Sequence, residues 1–139
     1  MISDIKSAIV YKLKELFPDD VRKIRRYTDD IPQKFTTPAF VIFEIDHDYS
    51  KRMNSKYNGR ISFDIVYFSD KATPEIKSDC FAIQETLLRG FYYFGAFKAL
   101  NKNARITDNV LHMTFDVSYS EMKVEDQMPM QTQTTNTNL

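Results

Sequence analysis

Between Leu111 and Ser120 the chain alternates without a break. Leu111, Met113, Phe115, Val117 and Tyr119 are apolar or aromatic, and His112, Thr114, Asp116, Ser118 and Ser120 between them are polar. A period of two sends successive side chains to opposite faces of a strand, so this stretch has one buried face and one wet face. A strand of that kind needs hydrogen-bonded neighbours and an apolar layer over its inward face.

Two further segments supply neighbours. Ala39-Phe40-Val41-Ile42-Phe43-Glu44-Ile45 is rich in aromatic and branched residues and reads as a buried strand. Arg60 to Phe68 is a second, with Ile61, Phe63, Ile65 and Tyr67 on one face and Val66 and Phe68 making the other partly apolar. The residues from Asp46 to Arg60 are polar, and Asn58-Gly59 is the strongest turn dipeptide in the chain. The two strands are therefore expected to form a β-hairpin with an extended polar tip over Asp46–Asn58. Lys23 to Tyr27 is short, charged and β-compatible, the pattern of an edge strand. Thr28 to Pro38 holds two prolines and no clear period, so it reads as a loop, and Phe97 to Leu100 as a short strand.

The covering layer comes from two helical stripes. Ile2, Ile5, Ile9, Leu13 and Leu16 recur at steps of three and four, predicting a helix over about residues 3–17 that Pro18 closes. Ile76, Cys80, Ile83, Leu87 and Phe91 repeat the pattern, predicting a second helix over about 74–93. Thr73 is its expected cap, Pro74 lies in the first turn, and Gly95 marks its end. The fold class that follows is α+β: a mainly antiparallel sheet, two helices packed on one face, an extended hairpin and a polar C-terminal arm. With 139 residues there is room for one such domain, expected over 1–123. Residues 124–139, dominated by Gln, Thr and Asn, form a polar extension.

Several functions are disfavoured by composition. Lys+Arg and Asp+Glu stand at 19 each, whereas a chain built to grip nucleic acid carries a basic excess. One cysteine leaves no internal disulfide and no zinc knuckle. No apolar run approaches the roughly 18 residues of a membrane span, and the N-terminus enters a helical pattern directly, so neither a membrane partner nor a secretory signal is expected. None of the three glycines forms a phosphate-cradling loop.

Three local features carry candidate chemistry. Asp46-His47-Asp48 has metal-ligating residue types, but neighbours on a strand point to opposite faces and cannot converge, so a solvated strand end is the expectation. Asp116, Glu121 and Lys123 match the acid plus Glu-x-Lys of Mg²⁺-dependent nucleases, but Asp116 and Glu121 stand at odd spacing on one strand and face apart. Arg22-Lys23-Ile24-Arg25-Arg26, with Lys51, Arg52 and Lys56, could touch phosphates, although edge charges also discourage unwanted strand pairing. Cys80 lies on the apolar stripe of the second helix and reads as a small core residue. No catalytic residue, cofactor site or metal site is expected.

The order of elements is informative in itself. A helix ends in Leu16-Phe17-Pro18; an arginine-rich strand and a loop lead to Thr37-Pro38-Ala39-Phe40-Val41-Ile42 and a polar hairpin. Then come Arg60 to Phe68, ending in Tyr67-Phe68, a helix opening at Thr73-Pro74, and the closing strand Asp108-Asn109-Val110-Leu111-His112-Met113-Thr114-Phe115. This pattern, over about residues 1–122, resembles the small tail terminator (tail completion) proteins of long-tailed bacteriophages and prophages. The resemblance implies a virion protein, made in the bacterial cytoplasm, that forms a ring of typically six subunits on the head-proximal end of the tail tube. Its implied partners are further copies of itself, the tail tube protein and a neck or head-completion protein, with DNA passing through the bore unread. A neck connector is the alternative structural role, and a small Mg²⁺-dependent nuclease the enzymatic one.

Contact residues are expected where charge is too dense to be buried in one subunit: Asp46, Asp48, Lys51, Arg52 and Lys56 on the hairpin, and Arg25 and Arg26 on the edge strand. Met128 and Met130 in the polar extension are expected to anchor it to an adjacent subunit or ring, since methionines fit irregular grooves.

Overall fold

A computed structural model describes residues 2–28, 33–51 and 56–122. Arg52, Lys123 and the extension with Met128 and Met130 lie outside the described residues, as do the side chains of Lys51, Lys56 and Glu121. The elements run α1 (Ile2–Leu16), β1 (Arg25–Tyr27), β2 (Ala39–Lys51), β3 (Lys56–Phe68), α2 (Thr73–Gly90), β4 (Tyr93–Phe94), β5 (Phe97–Lys98), β6 (Leu100–Thr107) and β7 (Val110–Met122). Five strands form one sheet in the order β1-β2-β3-β7-β6, antiparallel except for the β1–β2 pair, and β4 and β5 form a small separate hairpin. The fold is α+β.

Both helices lie on one face because their apolar stripes leave no other place for them. Ile5, Ile9 and Leu13 of α1 are fully buried, as are Cys80 and Leu87 of α2. They share one core with Phe40 and Ile42 of β2, Ile61, Phe63, Ile65 and Tyr67 of β3, and Leu111, Met113, Phe115 and Val117 of β7. Phe115 sits at the centre, its ring 5.1 Å from Phe91, 5.8 Å from Phe63 and 5.9 Å from Phe94. The alternation read from Leu111 to Val117 is thus the inward face of β7, covered by α2 and the β4–β5 hairpin. Burial pushes the Cys80 thiol upward, as suits a core residue.

Four sequence expectations need correction. Most of the expected polar tip is strand: β2 runs on to Lys51 and β3 starts at Lys56, paired through Tyr49 opposite Gly59 and Ser50 opposite Asn58. Asn58-Gly59 is therefore no turn. A methyl group at Gly59 would fall within the ring of Tyr119 on β7, so the missing side chain serves close packing across the sheet. The second helix is capped at Ala72 without a side-chain hydrogen bond, Thr73 already being helical, and it stops at Gly90 with Phe91 as C-cap. Gly95, at φ +59°, instead turns between β4 and β5. Finally, the expected short strand is present as β5, but a further strand, β6 from Leu100 to Thr107, follows it and meets β7 through Asp108-Asn109. Both turn residues have positive φ (50° and 62°), the backbone of a two-residue hairpin turn whose twist matches the flanking strands.

Candidate functional site

The three central strands outrun their neighbours. β1 accompanies β2 only over Ala39–Val41, and β6 accompanies β7 only as far as Asp116. Past those points β2, β3 and β7 continue together, paired as far as Lys51, Tyr57 and Glu121. The result is a three-stranded arm with no further strand along either side among the described residues.

A β-bulge sets which residues the arm presents. Glu44 lies opposite Phe63 and Asp46 opposite Ser62, leaving Ile45 as the extra residue. Before the bulge Phe40 and Ile42 face the helices; after it the odd-numbered residues do so, with His47 opposite Ile61 and Tyr49 opposite Gly59. Asp46 and Asp48 consequently stand on the far face, beside Ser62 and Arg60. The Asp-His-Asp trio is divided between two faces.

The helix-side face of the arm is aromatic. The His47 Nε2 and the Tyr119 hydroxyl lie 2.8 Å apart, and the Tyr49 ring stands edge-on to His47 at 6.3 Å. Tyr119 lies over Gly59 and packs against the core. The far face is polar and ionic. Asp116 accepts hydrogen bonds from Ser62 Oγ at 2.6 Å, from Asn101 Nδ2 at 3.0 Å, and from Arg60. Burial alone would raise the pKa of Asp116, but these three donors outweigh it and hold the carboxyl below its ordinary value. Arg60 is held more firmly protonated, first by Asp116 and then by the fields of Asp48 and Asp46.

Asp116 thus works as a junction joining β3, β6 and β7. Glu121 does lie on the same strand, at the register position opposite Tyr57. No group of three or more His, Cys, Asp or Glu side chains among the described residues could hold a metal ion. An open cleft of about 710 Å³ along α1 is lined, among the described residues, by Ser3, Lys6, Ser7, Val10, Tyr11, Lys14 and Thr28.

The basic run has a different fate from the one its composition suggests. Arg22 is committed inside the molecule: its guanidinium donates to both oxygens of Asp79, at 2.7 and 3.1 Å, and to Asp70 at 2.6 Å. Tyr67 and Ser69 also donate to Asp79, at 2.7 and 2.6 Å. Sequence reasoning missed this cluster, because Arg22 and Asp79 are distant in the chain and nothing local marks the pair. Arg26 on β1 donates to the Ile24 carbonyl at 3.0 Å and lies 3.7 Å from Asp19, whereas Arg25 is exposed.

These features meet on the arm. It combines long paired strands, one aromatic and one ionic face, and apolar side chains left in solvent: Phe43 is 43%, Ile45 55% and Tyr49 44% exposed. No curated protein matches the chain. A family model described as phage tail terminator protein matches residues 4–129, nearly the whole sequence and every described element. The chain therefore belongs to the phage tail terminator family.

Proposed function

We propose that the protein forms a closed ring on the head-proximal end of the tail tube, ends tube growth there, and offers the neck or head-completion proteins a new docking surface. The observation that carries this reading is the three-stranded arm, which outruns both flanking strands and has unlike faces. A tube grows by heterologous contacts in which each ring presents what the next ring binds. A terminator must match the tube on one side, refuse another tube ring on the other, and close on itself, which requires several distinct surfaces on one small chain. Charge balance, 19 basic against 19 acidic residues, suits a bore that DNA crosses without being gripped.

Asp46, Asp48, Lys51, Arg52 and Lys56 of the hairpin belong to these contacts in this reading, as do Arg25 and Arg26. Residues 1–123 form the ring-building domain, and the extension 124–139 reaches a neighbouring subunit or ring through Met128 and Met130. No step is catalytic; the Asp116 carboxylate, the nuclease candidate, is already taken up by Ser62, Asn101 and Arg60. The protein acts in the virion, after synthesis in the host cytoplasm.

The direct test adds purified protein to tail tube protein as it polymerises and follows tube length by electron microscopy. Elongation should stop and the density of a cap should appear at one end. Tubes that elongate unchanged, with no cap, would contradict the reading.

A further inference from the structure

The arm has two open edges, and they are complementary in direction. From Ile42 to Lys51 β2 has β3 on one side and no strand on the other, and from Val117 to Met122 the same holds for β7, among the described residues. Both strands run antiparallel to β3, so they point the same way along the arm. We propose that the open β2 edge of one copy pairs in parallel with the open β7 edge of the next, so that the arms join into one continuous sheet around the ring. This rests on the ring reading above and names the contact that closes it.

Three observations favour a second copy as the occupant. Copies related by rotation about a ring axis keep their arms pointing the same way, so the β2 edge of each meets the β7 edge of its neighbour, the heterologous contact a ring requires. Long edge strands with exposed apolar residues invite strand pairing, and β2 carries Phe43, Ile45 and Tyr49 in solvent without a proline. The faces also continue across the junction. In a register that sets His47 and Tyr49 beside Val117 and Tyr119 of the next copy, Asp48 lies beside the hydroxyl of its Ser118.

The geometry also sets a size and an orientation. Closed sheets of roughly eight strands are filled by their own side chains, and those of roughly 16–18 leave an aqueous channel. At three strands per copy, an open channel takes about six copies. The helices occupy one face of the sheet, so they must stand outside such a barrel. The opposite face, with Asp46, Asp48, Arg60, Ser62, Asp116 and Ser118, then lines the channel.

Disulfide trapping tests this contact. The variants pair Asp46→Cys or Asp48→Cys with Ser118→Cys or Ser120→Cys, four combinations covering the neighbouring registers, with each single variant as control. The native Cys80 is fully buried. Mild oxidation should shift most of the monomer band of at least one double variant into a ladder of covalent oligomers that ends at the ring. The single variants should stay monomeric on the gel. Light scattering on the same samples before oxidation separates the two ideas. An oligomer of defined mass with no ladder in any combination would overturn the edge pairing and leave the ring. A monomer at every concentration would overturn both. A covalent dimer from Ser118→Cys alone would mean like-with-like pairing and would also overturn the proposal.

Discussion

Asp79 on α2 accepts hydrogen bonds from Arg22, Tyr67 and Ser69, tying the segment before β1, the end of β3 and a helix to one carboxylate. Burial opposes its ionisation, but the donors prevail and bring its pKa from 3.8 down to about 2. The unfolded chain therefore binds the proton first as pH falls. The stabilisation is complete above about pH 5 and is lost as pH falls through about 2. Asp79→Asn should cost about 2–3 kcal/mol near pH 7, because it leaves Arg22 half-paired, and distinctly less at pH 3. Urea melts at the two pH values check this, and an equal loss at both would refute the linkage. Gly59 gives the second prediction at this scale. Gly59→Ala should displace the Tyr119 ring and break its hydrogen bond to His47, costing only about 1 kcal/mol in a urea melt, because a ring tip can swing aside. Copy-to-copy association should fall much further, as the aromatic face of the arm is lost. Unchanged association would show that the face makes no contact.

Individual elements show where sequence reasoning succeeds and where it stops. Phe115 was legible as an inward residue of the last strand because a period of two needs no tertiary information. Its burial against Phe63, Phe91 and Phe94 predicts a loss of about 3–5 kcal/mol for Phe115→Ala, read from a urea melt; a loss below about 1 kcal/mol would refute the packing. The extent of β2 was missed for a specific reason. Its helix-facing residues fall at even positions, Phe40 and Ile42, before the bulge, and the arm's aromatic face at odd ones, His47 and Tyr49, after it. A change of phase reads as the end of a strand unless a bulge is allowed for. Asn58-Gly59 strengthened that error, since a glycine needed for close packing and one needed for a turn look alike in sequence. The true hairpin signal, Asp108-Asn109, was absorbed into the strand that follows it. The Arg22–Asp79 pair, separated by 57 positions, had no local signature at all.

At the scale of the whole molecule, both helices are spent on one face of the sheet, and the central strands project past β1 and β6. The core is thereby concentrated at the base of the sheet, and in the proposed ring the arm makes the contacts. The polar extension has its own prediction. Amides of Met128 to Gln133 should exchange fast in isolated subunits and slowly in the assembled ring or tail, by hydrogen exchange read residue by residue. Fast exchange in both states would remove the extension from the assembly, and its deletion should then change nothing. The central claim, that this chain closes into a ring which binds the tube, is tested most directly by mass from light scattering, alone and mixed with the matching tail tube protein. The account predicts one closed oligomer of fixed mass over a wide concentration range, and a heavier, equally defined complex with the tube. A monomer at all concentrations whose mass is unchanged by tube protein would contradict it.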